Sequence, residues 1–100
     1  MELRIARSAL ADMQEIKDYY TELGAPQVGK SLLEKILKQC HVALDHPDSG
    51  RIVPEFSTPA LREFIQPPFR IVYLREPALI TIIRVWRSER MLKLPDEPVK

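Results

Sequence analysis

One hundred residues are enough for one core and too few for a second, and a chain of this length buries roughly 60–65% of its unfolded surface. With 45% hydrophobic and 29% charged residues, the composition is that of an ordinary globular domain and excludes a disordered chain. The net charge of +1 says nothing about nucleic acid, and no stretch approaches the ~18–20 apolar residues of a membrane span. The N-terminal MELRIARSAL lacks the apolar centre of a secretion signal, so no membrane association and a cytoplasmic location are expected.

The chain opens with Leu3-Arg4-Ile5-Ala6, whose alternation predicts a short strand. Ser8 is a favourable N-cap, and Asp12 places acid near the first turn of a helix running to about Leu23. Leu10, Met13, Ile16 and Tyr20 recur at three- and four-residue spacing and form its apolar face. Gly24 stops this helix and Pro26 starts the next, which runs to about Leu44 with Val28, Leu32, Leu33, Ile36, Leu37, Cys40 and Leu44 as its stripe. A connection this short folds the two helices into an antiparallel hairpin. Cys40, the single cysteine, has no disulfide partner and falls within the stripe, which predicts a buried structural thiol in a reducing compartment. His41 and His46 do not share a helix face and have no acid or cysteine at ligand spacing, so no metal and no cofactor are expected.

After the turn Asp45–Gly50 the period changes. Arg51-Ile52-Val53 before Pro54 reads as a strand start or edge element. Leu61–Ile65, Phe69–Leu74 and Leu79–Trp86 read as three strands rich in β-branched and aromatic residues, joined at Pro67-Pro68 and Glu76-Pro77. Such short connections require antiparallel pairing. The expected fold is α+β: an N-terminal strand and a helical hairpin packed on one face of a small, mainly antiparallel sheet. The domain is expected to span residues 1–92, followed by an irregular tail, 93–100.

Charge is unevenly distributed. Residues 1–50 carry six basic and eight acidic side chains, and residues 51–100 carry nine and six. The basic half is rich in arginine, which suits bidentate contacts with phosphate or carboxylate. A count of two along the strands puts Phe69, Ile71 and Tyr73 on the helix side and Arg70, Val72 and Leu74 on the other. In the last strand the same count separates Leu79, Thr81, Ile83 and Val85 from Ile80, Ile82, Arg84 and Trp86. Arg70 and Arg84 are then expected to point away from the helices, beside Trp86, on a face suited to a polyanion or an acidic protein segment. The same residues also fit a solvated surface paired with Glu63, Glu76 and Glu89, or a face covered by the tail.

Four pieces, in order and spanning Ser8 to Arg90, resemble the RelE/ParE superfamily of bacterial type II toxins. They are SALADMQEIKDYYTELG, LDHPDSGRIVPEF, LREFIQPPFRIVYLRE and LITIIRVWRSERML. The resemblance implies a toxin held inactive in a hetero-oligomer by a cognate antitoxin that wraps it with a helix or strand. It implies one of two targets: RelE-like members cleave messenger RNA in the ribosomal A site, and ParE-like members poison DNA gyrase. Fold alone does not choose between them.

In a RelE-like nuclease, Arg70 and Arg84 would hold phosphate and Glu55 would be the general base. At the end of the last strand, where nuclease members place a histidine or tyrosine, this chain has Val85-Trp86-Arg87-Ser88. Trp86 has no usable proton, and Arg87 stays protonated. Many ParE-like members carry a histidine where Arg87 stands. The missing acid/base group favours the ParE-like branch. Target contacts are then expected from Arg51, Arg62, Arg70, Arg84, Trp86, Arg87 and Arg90, with no catalytic set of the protein's own.

Overall fold

The computed structural model describes residues 1–89 and 91–95. Strand β1 (Glu2–Ile5) leads into helices α1 (Arg7–Glu22) and α2 (Pro26–Asp45), followed by strands β2 (Arg51–Ile52), β3 (Leu61–Gln66), β4 (Phe69–Glu76) and β5 (Leu79–Arg87). The five strands form one sheet in the order β1-β5-β4-β3-β2. β1 runs parallel to β5, with Glu2 opposite Leu79 and Ile5 opposite Ile82, and the other pairings are antiparallel. The helices lie on one face, giving the expected α+β architecture.

Two cores result. The larger lies between sheet and helices, where Ile71, Tyr73, Ile80, Ile82 and Val85 meet Ala9, Ile16, Ile36, Cys40 and Ala43. The smaller lies on the opposite face, where Leu61, Val72 and Ile83 meet Val53 from the segment after β2, Ala6, and Leu92 from the C-terminal segment. Two layers on one sheet let a short chain bury both faces of its central strands.

The connections are fixed by specific residues. Gly24, at φ +74°, ends α1 in the left-handed conformation that favours glycine, and Pro26 opens α2. Gly50 faces the Tyr73 ring so closely that a Cβ there would lie 2.5 Å from Tyr73 Oη. That hydroxyl accepts the Gly50 N–H at 3.0 Å and donates to the Pro47 carbonyl at 2.8 Å. The turn leaving α2 is thereby fixed to the centre of the sheet.

Three local expectations are corrected. Ser8 does not cap α1, which starts at Arg7 with Ala6 at the N-cap and no side-chain cap. Its Oγ instead donates to the Ile83 carbonyl at 2.5 Å, on the part of the β5 edge that β1 is too short to cover. Asp12 likewise lies beyond the first turn and serves β5. The third correction concerns the faces of β5. Val72 pairs with Arg84 while Tyr73 pairs with Ile82, leaving Ile83 as an extra residue in a β-bulge. The count of two breaks there. Ile80 and Ile82 therefore face the helices and Ile83 faces away, the reverse of the expectation, while Val85 faces the helices and Trp86 faces away as expected.

Candidate functional site

The helix-free face is built around a chain of buried charges. Glu63 is 1% exposed and Arg70 4% exposed. Register places them on the same face, since Glu63 opposes Val72 and Arg70 opposes Ile65. Glu63 accepts from Arg51 Nε at 2.7 Å and from Arg70 Nη1 at 3.2 Å. Arg70 Nη1 also donates to Glu55 Oε1 at 3.0 Å, and Arg70 Nη2 reaches Glu55 Oε2. The run Arg51–Glu63–Arg70–Glu55 alternates in sign, so each buried charge is compensated. The Arg70 guanidinium hydrogen-bonded to Glu55 holds that carboxyl down, from an ordinary 4.5 to about 2. Glu55 in turn raises the pKa of Arg70.

At the end of β5, Arg84 joins three layers. Its Nε and Nη2 donate to the two Asp12 carboxylate oxygens at 2.8 and 2.7 Å, its Nη1 donates to the Lys93 carbonyl at 3.2 Å, and its guanidinium carbon stands 4.2 Å from the Trp86 ring centroid. Asp12 Oδ2 also accepts the Val85 N–H at 2.9 Å. As expected, Arg84 shares the helix-free face with its cross-strand partner Val72 and with Trp86, and its guanidinium reaches past the end of β1 to Asp12 on α1.

Between α1 and the end of β5 runs an open cleft of about 450 Å³, lined by Ile16, Tyr19, Tyr20, Phe69, Trp86 and Arg87 together with carboxylates of Asp12, Glu15 and Glu89. Tyr19 and Tyr20 meet edge to face at 5.0 Å. Arg87 lies over Phe69 at 5.6 Å and pairs with Glu89 at 2.7 Å. Aromatic walls with charged rims are the composition of protein-recognition surfaces.

The expected site residues divide accordingly. Arg51, Arg70 and Glu55 are brought together. Arg84 and Trp86 form a second group, with Arg87 at the cleft beside it. Arg62 stands apart, donating to the carbonyls of Pro59, Asp48 and Gly50 at 3.0, 3.1 and 3.0 Å. Arg90 lies outside the described residues. Asp12, Glu63 and Leu92 hold these groups in place. Glu63 pairs with arginines as its sequence position allowed, whereas Asp12 and Leu92 were not tied to them from sequence, where an acid on a helix and a leucine in a tail carry no distinctive pattern. Among the described residues no group of three or more His, Cys, Asp or Glu could hold a metal ion, and no helix is long and apolar enough to cross a membrane.

The fold is similar to a chain of the chromosomal ParDE TA system from P. aeruginosa, with a TM-score of 0.74 and 26% identity over 89% of this chain and 97% of that one. No curated protein matches the sequence. The class is that of RelE/ParE superfamily toxins. Residues 3–92 match the family described as the ParE toxin of the type II toxin–antitoxin system, parDE, and the chain belongs to that family.

Proposed function

We propose that this toxin acts by binding DNA gyrase and trapping its cleaved-DNA state, not by cleaving RNA, and that a cognate antitoxin neutralises it in a cytoplasmic hetero-oligomer. The observation that carries the reading is the Glu55–Arg70 pair. A general base near neutrality needs a pKa near the working pH and a free lone pair. Glu55 is held at about 2, and its oxygens are engaged by Arg70 and by the Leu92 N–H. Arg70, 4% exposed, is closed to a phosphate. Tyr73 is fully buried, its hydroxyl is occupied by Gly50 and Pro47, and burial raises its pKa. These residues are suited to holding a sheet together, and a sheet built this way is suited to binding.

Trp86 and Arg87, at the cleft, are the target contacts best placed to meet a partner, with Arg51 and Arg62 on the β2 side. An antitoxin interface of ordinary size covers roughly 1,200–2,000 Å² in total, enough to include the cleft. The test combines purified toxin with gyrase, supercoiled plasmid and ATP, beside a ribosome reaction with messenger RNA. Linear plasmid and intact messenger support the proposal. Cut messenger with untouched plasmid overturns it in favour of a RelE-like nuclease, and Arg70→Ala and Glu55→Ala would then test the nuclease roles.

A further inference from the structure

The cleft between α1 and the end of β5 repeats one arrangement, a guanidinium shared by a carboxylate and an aromatic ring. Arg84 pairs with Asp12 through two hydrogen bonds of 2.8 and 2.7 Å and stands 4.2 Å from the Trp86 ring centroid. Arg87 pairs with Glu89 at 2.7 Å and stands 5.6 Å from the Phe69 ring centroid. In both sets the carboxylate answers the charge while the ring faces the planar cation.

A third set of acid and rings lies on α1 and has no guanidinium of its own. Glu15 and Tyr19, four residues apart, share a helix face, both line the cleft, and Tyr19 meets Tyr20 edge to face at 5.0 Å. Glu15 is exposed and makes no ion pair or hydrogen bond among the described residues. The lining carboxylates Asp12, Glu15 and Glu89 thus answer to two guanidiniums, those of Arg84 and Arg87, an excess of one negative charge among the described residues. Ile16, Phe69 and Val85, all buried, supply an apolar lining. An anion would be repelled by the carboxylates, and a purely apolar group would desolvate Glu15 without compensation. A cation on an aliphatic stem satisfies both parts of the cleft.

We propose that the cleft receives one arginine side chain of a partner protein, its guanidinium paired with Glu15 against the Tyr19–Tyr20 rings and its methylenes on the apolar lining. Arginine suits the site better than lysine because its planar, weakly hydrated group stacks on rings, as Arg84 and Arg87 do on the same cleft. A free small ligand is normally enclosed over most of its surface. This cleft is open, which suits a side chain carried in on another protein's surface. The proposal rests on the reading of the cleft as a partner-contact surface and not on the choice of gyrase over RNA.

The test titrates the full-length protein with Nα-acetyl-arginine amide and follows NMR shifts of the tyrosine rings and of the indole of Trp86, the single tryptophan. Nα-acetyl-citrulline amide, of the same shape without the charge, is titrated beside it. The expected result is saturable shifts at Tyr19, Tyr20 and Trp86 with the arginine probe and none with citrulline. Glu15→Gln and Tyr19→Leu, both at exposed positions, should each weaken binding about fivefold. Glu22→Gln, on the same helix outside the cleft, should leave it unchanged. No saturable shift, equal shifts from citrulline, or parental binding by Glu15→Gln overturns the proposal. Spermidine binding more tightly than the arginine probe also overturns it, since the cleft would then be a polyamine site. The titration contains no gyrase, so its failure leaves the gyrase assay standing, and a negative gyrase assay leaves the arginine site standing.

Discussion

Asp12 and Arg84 are separated by most of the chain, yet the carboxylate and guanidinium meet through two hydrogen bonds of 2.7 and 2.8 Å, while one of the same oxygens caps the Val85 N–H. A single acid thus fastens α1 to β5 and covers strand edge beyond the end of β1. Both side chains are largely withdrawn from solvent, at 8% and 17% exposure. Removing one partner therefore leaves the other poorly compensated. Asp12→Ala should cost stability toward the low end of about 3–5 kcal/mol, because Arg84 keeps the Lys93 carbonyl and the Trp86 ring. Asp12→Asn, which still accepts the Val85 N–H, should cost less. Urea unfolding followed by circular dichroism checks both, and an unchanged Asp12→Ala midpoint would refute the role.

The Glu55 carboxyl predicts an acid limb. Its pKa is depressed in the folded chain, so the unfolded chain binds the extra proton as pH falls. The stabilisation is full above the ordinary 4.5 and disappears as pH drops toward about 2. Glu55→Gln should be less stable than the parent at neutral pH, and the difference should shrink across that window. A difference that stays constant from neutral pH to pH 2 would contradict the assignment.

Tyr73→Phe removes one hydroxyl that serves two backbone groups, the Gly50 N–H and the Pro47 carbonyl. Leaving buried polar groups without partners costs about 1–3 kcal/mol. Thermal unfolding should show that loss. Gly50→Ala should also destabilise, since its Cβ would meet the Tyr73 oxygen and ring and the Glu63 carbonyl oxygen, at 2.5, 2.8 and 3.0 Å.

Burial pushes the Cys40 thiol up to about 11, so little thiolate forms near neutrality and reagents cannot reach it. An aromatic disulfide reagent at pH 8 should label the native protein slowly and the urea-unfolded protein quickly. Fast labelling of the native chain would show the α2–sheet layer to be open.

Much of the fold was legible from periodicity. The extents of α1 and α2, the stop at Gly24 and the three long strands stand within a residue or two of their expected bounds, and Tyr73 faces the helices as the count of two predicts; the apolar stripes hold at Ile16, Ile36 and Cys40, but Leu10, Val28 and Leu37 are exposed while Ala9 and Ala43 are buried. The faces of β5 were legible only past the bulge: Val85 and Trp86 stand as expected, but the insertion at Ile83 puts Ile80, Ile82 and Ile83 on the opposite faces, and a bulge leaves no mark on local composition. The site followed the same division. The arginines could be named from sequence, but their engagement with Asp12, Glu55 and Glu63 depends on register across strands and on partners distant in sequence. Ser8 shows the limit well, because a good N-cap residue was recruited by a strand edge its own segment does not predict.

The parallel join between β1 and β5 has a consequence for how the molecule is made. The first strand synthesised, Glu2–Ile5, finds its hydrogen-bonding partner only in residues 79–82, and the Ala6 N–H completes the run at the Ile82 carbonyl. Such distant pairing forms late. A nascent chain must therefore hold its N-terminal strand unsatisfied until the last strand has left the ribosome. The sheet closes only after residues 79–82 have emerged, so a growing toxin chain cannot assemble the cleft between α1 and β5 before β5 itself is out.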